Sequence, residues 1–296
     1  MAVDFNALTA IMMAPLLAVD DPSIERLTAA SPQLAETILC AARGFSGSSD
    51  VPPEGAMDWC LGVDYRAPGE KIVLGEPLGP APPPADRRGY FTYVCRSMFV
   101  PALRHGGCFA LKDDDGAVVA AAVGFPPSST GSVRDDEEEE DDESDPGLTL
   151  GPEQLGPPPR KKMTEGAGRR FGLFGPLMEA LEEQALPPGT PHWYVLCFSV
   201  SPTAQGRGYG ARLLRWLGRC ADHNNVPILL ETCGDRNRRF YEGSGFELGA
   251  AVCFVQNQNS KLTPECRRAK SATEQLLTVL PRGMFPGAGR DDGRAC

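Results

Sequence analysis

The stretch S-P-T-A-Q-G-R-G-Y-G, Ser201 to Gly210, sets three glycines at alternate positions directly after an apolar run. Glycine-rich backbone ahead of a helix leaves N–H groups bare, and the helix dipole adds positive potential, so such a turn binds phosphate without a charged side chain. Arg207, inside the turn, adds a cation. The alternative is a tight strand-to-helix turn with no ligand. One phosphate that fits is a dinucleotide's: Gly206-x-Gly208-x-x-Ala211 matches the G-x-G-x-x-A fingerprint, and Glu231 stands at the end of the next apolar run, where a ribose-binding acid belongs. Fewer than ninety residues follow the turn, which leaves little room for the rest of a nucleotide-binding sheet and a substrate domain. Metal chemistry has less support. The ten cysteines form no C-x-x-C pair, and His105, His192 and His223 do not cluster with them.

The elements that must position this turn are legible as patterns. W-Y-V-L-C-F-S-V, residues 193 to 200, predicts a buried strand running into it. Residues 210 to 221 predict an amphipathic helix running out of it, with Gly210, Leu213, Leu214, Leu217 and Ala221 on one face and Arg212, Arg215 and Arg219 on the others. V-P-I-L-L-E-T-C then predicts a second buried strand, and strand, glycine turn, helix, strand makes a βαβ-like unit of the α/β class. Upstream, Ile24 to Ala29 reads as a strand. A helix follows from Ser31-Pro32, with Leu34, Ile38 and Ala42 at helical spacing. Residues 46 to 88, rich in Pro and Gly, predict loop apart from an apolar patch at Met57 to Leu61. Tyr90 to Leu103 predicts a second helix through Phe91, Val94, Cys95 and Met98. Asp115-Gly116 between C-F-A-L-K and A-V-V-A-A-A-V-G-F predicts a hairpin. A further helix is expected from Pro176, lined by Met178, Leu181 and Ala185.

Bulk properties narrow the function classes. The net charge of −10 is local, because Asp135 to Asp145 holds ten acidic residues, and the other 29 Asp and Glu balance the 29 Lys and Arg. A globally basic nucleic-acid binder is thereby disfavoured. Residues 126 to 172 read as a low-complexity insertion, either a solvated loop or an acidic arm that meets a basic partner. Cysteines inside apolar runs, such as Cys95, Cys197 and Cys253, point to reduced core residues and a cytoplasmic location. The N-terminal apolar run lacks a basic leader, is too short to span a bilayer and is broken by Pro15, so no membrane attachment is expected.

A second set of residues changes the weight of the glycine turn. Gln205-x-x-Gly208-x-Gly210 fits the Q/R-x-x-G-x-G/A signature of the GNAT acetyltransferases, and N-R-R-F-Y-E-G-S-G-F, Asn237 to Phe246, resembles that family's N-x-x-x-x-Y-x-x-x-G-F element. H-W-Y-V, the helix ending A-L-R-H-G and the hairpin resemble the puromycin N-acetyltransferase-like branch. The resemblance covers residues 20 to 283, with T-E-Q-L-L-T-V-L-P-R as last strand, 1 to 19 as an extension, 284 to 296 as a tail and 130 to 172 as the acidic insertion. It departs from the family at that insertion and at a spacer, Gln256 to Ala272. The implied fold is a mixed, mostly antiparallel twisted sheet flanked by helices.

The resemblance also implies roles. Acetyl-CoA would set its pyrophosphate on the amides of Gly206, Arg207, Gly208, Tyr209, Gly210 and Ala211, with the Gln205 and Arg207 side chains nearby. Its pantetheine arm would pair with backbone groups of Phe198, Ser199 and Val200, where this strand splays from the next, and an amide at a strand bulge would polarise the thioester carbonyl. Tyr241 is the implied general acid for the departing thiolate, a phenol's pKa of about 10 being close to a thiol's. Its alternative is a core aromatic beside Phe240 and Phe246. Asn237 would contact the cofactor's arm or cap a helix. Glu231 is the candidate base, desolvated on its buried strand, or else a satisfied carboxylate that orders strand ends; His192 is a further candidate or structural. The implied activity is acetyl transfer from acetyl-CoA to a small-molecule or peptide amine. The alternatives are a GNAT-fold binding module without catalysis that uses its acidic loop, and the dinucleotide enzyme.

Overall fold

The computed structural model describes residues 20–47, 84–105, 107–127, 150–156, 165–254 and 273–279. The N-terminal extension, the patch at Met57 to Leu61, the acidic run, the spacer Gln256 to Ala272 and the C-terminal tail lie outside the described residues. In chain order the elements are β1 (Ile24–Leu27), α1 (Leu34–Ser46), α2 (Pro84–His105), β2 (Gly107–Lys112), β3 (Val118–Phe125), α3 (Pro152–Leu155), α4 (Glu165–Ala185) and β4 (Trp193–Val200). A 3-10 turn (Pro202–Ala204), α5 (Tyr209–His223), β5 (Ile228–Cys233), α6 (Asp235–Gly243), β6 (Glu247–Phe254) and β7 (Thr273–Val279) follow.

The strands form one sheet in the order β1-β2-β3-β4-β5-β7-β6. Only β4 and β5 are parallel; every other neighbour pair is antiparallel. This is the expected mixed, mostly antiparallel sheet, and it is not the parallel sheet that a dinucleotide fold requires. The single parallel pair is the βαβ unit, with α5 as its crossover.

Both faces of the sheet are covered, which is why β2 and β3 read as continuous apolar runs. Val118, Ala121, Val123 and Phe125 pack toward α1 and α2, while Val119, Ala120 and Ala122 pack toward α5. The hairpin between them closes on Asp113, whose carboxylate accepts from the Asp115 and Ala117 amides (3.1 and 2.9 Å). Beside it Gly116 takes a left-handed φ of 82°. On the face shared with α1 and α2, Met178 and Leu181 of α4 pack on Leu229 of β5 and Ala250 of β6. Leu213, Leu214, Leu217 and Ala221 bury the apolar face of α5 against the other side, the face the periodicity predicts.

Several boundaries differ from the expectation. α4 starts at Glu165 and runs through Pro176, where the sequence predicts a helix start. Pro176 and Gly172 are both exposed, so the carbonyl that the proline leaves without a donor meets water. α2 likewise begins at Pro84 and contains Pro101. Part of the expected low-complexity insertion is ordered: Leu155 of α3 is buried against the α1–α2 core, and the Gly151 amide donates to the Gln154 side chain at 3.0 Å. No helix among the described residues is long and apolar enough to cross a membrane.

Candidate active site

The site is built on a fork in the sheet. β4 is tied to the start of β5 by the Trp193 amide, which donates to Pro227 O at 2.8 Å, and the two strands pair only through Trp193, Tyr194 and Val195. Beyond Val195↔Leu230 both strands continue, to Val200 and to Cys233, without pairing to each other. β5 is held from its far side by β7 over Leu229 to Cys233. At the fork β4 carries a bulge: Val123 of β3 faces Cys197 and Gly124 faces Val195, so Leu196 is the extra residue. The bulge shifts the alternation of side chains by one. Trp193 and Val195 face α5, Leu196 and Cys197 both join the α1–α2 core, and Phe198 and Val200 face α5 and α6 again.

The strand leads into the glycine turn. Gly206 and Gly208 take left-handed φ values of 76° and 85°, and a Cβ at either would meet open space. Glycine is required there by backbone conformation, not by crowding. Gly208 is the N-cap of α5, and no side chain caps the helix. The first bond from the turn into the helix runs from Arg212 N–H to Gly208 O (3.0 Å); the amides of Gly206, Arg207, Gly208, Tyr209, Gly210 and Ala211 donate to nothing among the described residues. Six consecutive free donors at the positive end of a 15-residue helix form an anion cradle. Gly210 lets α5 lie close to its neighbours, since a Cβ there would stand 3.1 Å from Val200 Cγ2 and 3.4 Å from Phe240 Cζ.

The polar side chains around the cradle hold its frame. Gln205 Nε2 donates to Val200 O (3.1 Å), and Gln205 Oε1 accepts from Arg236 at the start of α6 (2.9 Å). Gln205 thus ties the end of β4 to α6. The Arg207 guanidinium lies 5.3 Å from the centroid of the Tyr209 ring and is exposed. Asn237 is exposed in the first turn of α6, whose N-cap is Gly234 without a side-chain cap, so Asn237 is not the cap.

Tyr241 is 6% exposed on the α5–α6 face, in edge contact with Phe198 (6.2 Å), Phe240 (5.1 Å) and Phe246 (5.6 Å). Phe198 stacks on Phe240 at 6.3 Å. The phenol is thus both packed in the core and set beside the free stretch of β4. Glu231 lies on the other face of the sheet. In β5, Ile228 and Leu230 join the Tyr241 cluster while Leu229 packs with α4, and Glu231 continues the Leu229 side. Its half-buried carboxylate accepts from the Tyr194 hydroxyl at both oxygens, 3.1 and 2.9 Å.

The remaining candidates are anchored elsewhere. Ser199 is buried and its hydroxyl donates to Ala41 O of α1 (3.1 Å), so its side chain clamps β4 to a helix. His192 is buried, with Nδ1 at 2.9 Å from Thr190 O and Nε2 at 3.4 Å from Glu182 of α4. Burial pushes the Cys40 thiol up to about 11 and Cys220 to about 12, and raises Cys95, Cys108 and Cys197 as well, so none of these five is a thiolate nucleophile near neutral pH. Among the described residues no group of three or more His, Cys, Asp or Glu is arranged to hold a metal.

Residues 177–248, which span β4 to α6 and every candidate above, match the model of the acetyltransferase (GNAT) domain. Over that stretch the chain is similar to GNAT acetyltransferase domains. A Schizosaccharomyces pombe protein named as an uncharacterized N-acetyltransferase is 30% identical over 111 residues, 37% of this chain and 44% of that protein. The match therefore spans less than half of that relative's length. Among solved structures, arylalkylamine N-acetyltransferase 2 from Aedes aegypti aligns over 86% of this chain and 97% of its own, at 11% identity and a TM-score of 0.45. The polyamine N-acetyltransferase from Drosophila melanogaster aligns over 87% and 98%, at 15% identity and a TM-score of 0.41. At those scores neither alignment bears on substrate or mechanism. Within residues 177–248, Leu196 and Arg236 had no motif to mark them in advance, and Tyr194 stood inside H-W-Y-V without a role of its own. A bulge has no local signature in an apolar strand, and a tyrosine there reads as core.

Proposed function

We propose that the chain is an N-acetyltransferase that moves an acetyl group directly from acetyl-CoA to a primary amine. The observation that carries this reading is the fork, where the edge of β4 that β5 leaves unpaired runs straight into six free amides. A slender arm ending in a pyrophosphate fits such a combination: the arm can pair with the strand edge at Phe198, Ser199 and Val200, and the phosphates can rest on Gly206 to Ala211. When bound, acetyl-CoA supplies an acyl thioester as the group to be transferred. The resemblance to the puromycin N-acetyltransferase-like branch belongs to the same proposal, as does a small-molecule or peptide amine as acceptor.

This chain's own residues then have three tasks. The bulge at Leu196 frees backbone N–H at the fork to stabilise the carbonyl oxygen as negative charge develops on it. Tyr241, beside Phe198, donates its phenolic proton to the departing sulfur as the C–S bond breaks. Glu231, on the opposite face, receives the proton that the amine gives up as the new C–N bond forms. The five buried thiols of Cys40, Cys95, Cys108, Cys197 and Cys220 stay protonated near neutral pH, so none of these five is poised to carry the acetyl group. The test is Tyr241→Phe. kcat falls by about 10²-fold or more, as for loss of a general acid, while the acetyl-CoA Kd measured by calorimetry stays within about twofold. Full kcat in that variant removes the general-acid role, and a wild-type chain that acetylates no amine in a broad panel removes the activity.

A further inference from the structure

We infer that Tyr194 is a positioning residue, which holds the Glu231 carboxylate at the root of the fork so that it can receive the acceptor amine's proton. The inference rests on the acetyl-transfer reading above and adds a residue to it. Tyr194 stands in the last paired stretch of β4 and β5, opposite Leu229. Glu231 is the first residue of β5 beyond the last rung, Val195↔Leu230. The Tyr194 side chain therefore reaches diagonally across the point where the strands part, and its hydroxyl meets both carboxylate oxygens, at 3.1 and 2.9 Å.

One phenolic hydrogen shared by two oxygens fixes the plane of the carboxylate as well as its position. A glutamate side chain fixed in advance has less rotamer freedom left to give up at each turnover. The tyrosine is itself held, because its ring stacks on buried Phe125 at 6.5 Å and 27°. Phe125 belongs to β3, so three adjacent strands contribute to one side-chain orientation. Tyr241 lies on the other face of the sheet, which puts proton donor and proton acceptor on opposite sides of the fork. The proton leaving the amine and the proton reaching the sulfur then travel through separate environments.

Tyr194→Phe keeps the ring and its stacking partner and removes only the hydroxyl. With an amine that the wild-type chain acetylates, kcat/KM for the amine falls roughly tenfold or more while the KM and Kd for acetyl-CoA are unchanged. In a Glu231→Gln background the same substitution has no further effect, because a residue that acts through Glu231 has nothing left to position. A thermal melt confirms that the variants fold. Should Tyr194→Phe not fold, Tyr194→His, which returns a ring N–H donor, must keep more of the rate than Tyr194→Leu. Unchanged amine kcat/KM in Tyr194→Phe, or losses that multiply in the double variant, overturn the inference and leave the transfer reading standing. A wild-type chain inactive on every amine overturns both.

Discussion

The cradle can be separated from ordinary turn strain by comparing two glycines. Gly208 and Gly116 have nearly the same φ, 85° and 82°, and a Cβ at either position meets nothing within 4 Å. Alanine at either site therefore brings no clash, only the left-handed backbone penalty of about 1–2 kcal/mol. Urea denaturation should report a loss of that size for both Gly208→Ala and Gly116→Ala. Their effects on acetyl-CoA should diverge. Gly116 closes the β2–β3 hairpin and contributes none of the amides of Gly206 to Ala211, so its variant binds as the wild type does. Gly208 is the N-cap of α5, and relieving its strain turns a peptide plane within the free amides of Gly206 to Ala211. Misaiming one charge-assisted hydrogen bond costs about 1.5–3 kcal/mol. The Kd for acetyl-CoA, read by isothermal titration calorimetry, should then weaken roughly 10- to 100-fold. Equal losses of affinity in the two variants, or none in Gly208→Ala, would refute the argument that these amides hold the phosphates.

Two further predictions concern what holds the fork in place. Gly44 of α1 sits so close to β4 that a Cβ would overlap the Ser199 hydroxyl and stand 3.0 Å from Val200 O. Gly44→Ala should cost about 1–3 kcal/mol by overpacking and lower kcat by displacing β4, measured by denaturation and by an acetyl-transfer assay. Asp21, just before β1, accepts two bonds from Arg212 of α5, at 3.0 and 2.8 Å. Burial alone would raise its carboxyl, but donors from Arg212 and Ser23 outweigh burial and hold it below its ordinary value. A depressed pKa contributes stability above the unfolded-state value of about 3.9 and loses it as pH falls through the lower folded value. Asp21→Asn should thus be less stable than wild type by about 1 kcal/mol at pH 7, with the gap closing in acid, as followed by thermal melts across pH 2 to 7.

What could be read in advance was whatever depends on neighbours in the chain. A continuous apolar run marks β4 at residues 193 to 200, helical spacing marks the buried face of α5, and the spacing of Gln205, Gly208 and Gly210 marks the turn between them. The left-handed conformations of Gly206 and Gly208 are local properties of a strand-to-helix turn, so glycine announces them. Asn237 and Tyr241 follow at fixed positions on one short helix, α6. Helix boundaries were less legible, because Pro176 marks a start in isolation but is tolerated inside α4, where the carbonyl it orphans faces water.

The tertiary structure decided what depends on strands meeting. β7 inserts between β5 and β6, and that pairing holds β5 from its far side while it parts from β4. Leu196 becomes a bulge only because β3 pairs on both sides of it, and that bulge turns Ser199 toward α1 while leaving Phe198 beside Tyr241. The two candidate proton carriers, ten residues apart in the chain, fall on opposite faces because Glu231 is on a strand and Tyr241 on the helix that follows it. Tyr194 and Glu231 are 37 residues apart, and only the parallel register of β4 and β5 brings the hydroxyl to the carboxylate. Periodicity along the chain assigns a residue to a face; the register between strands decides which residue it meets there.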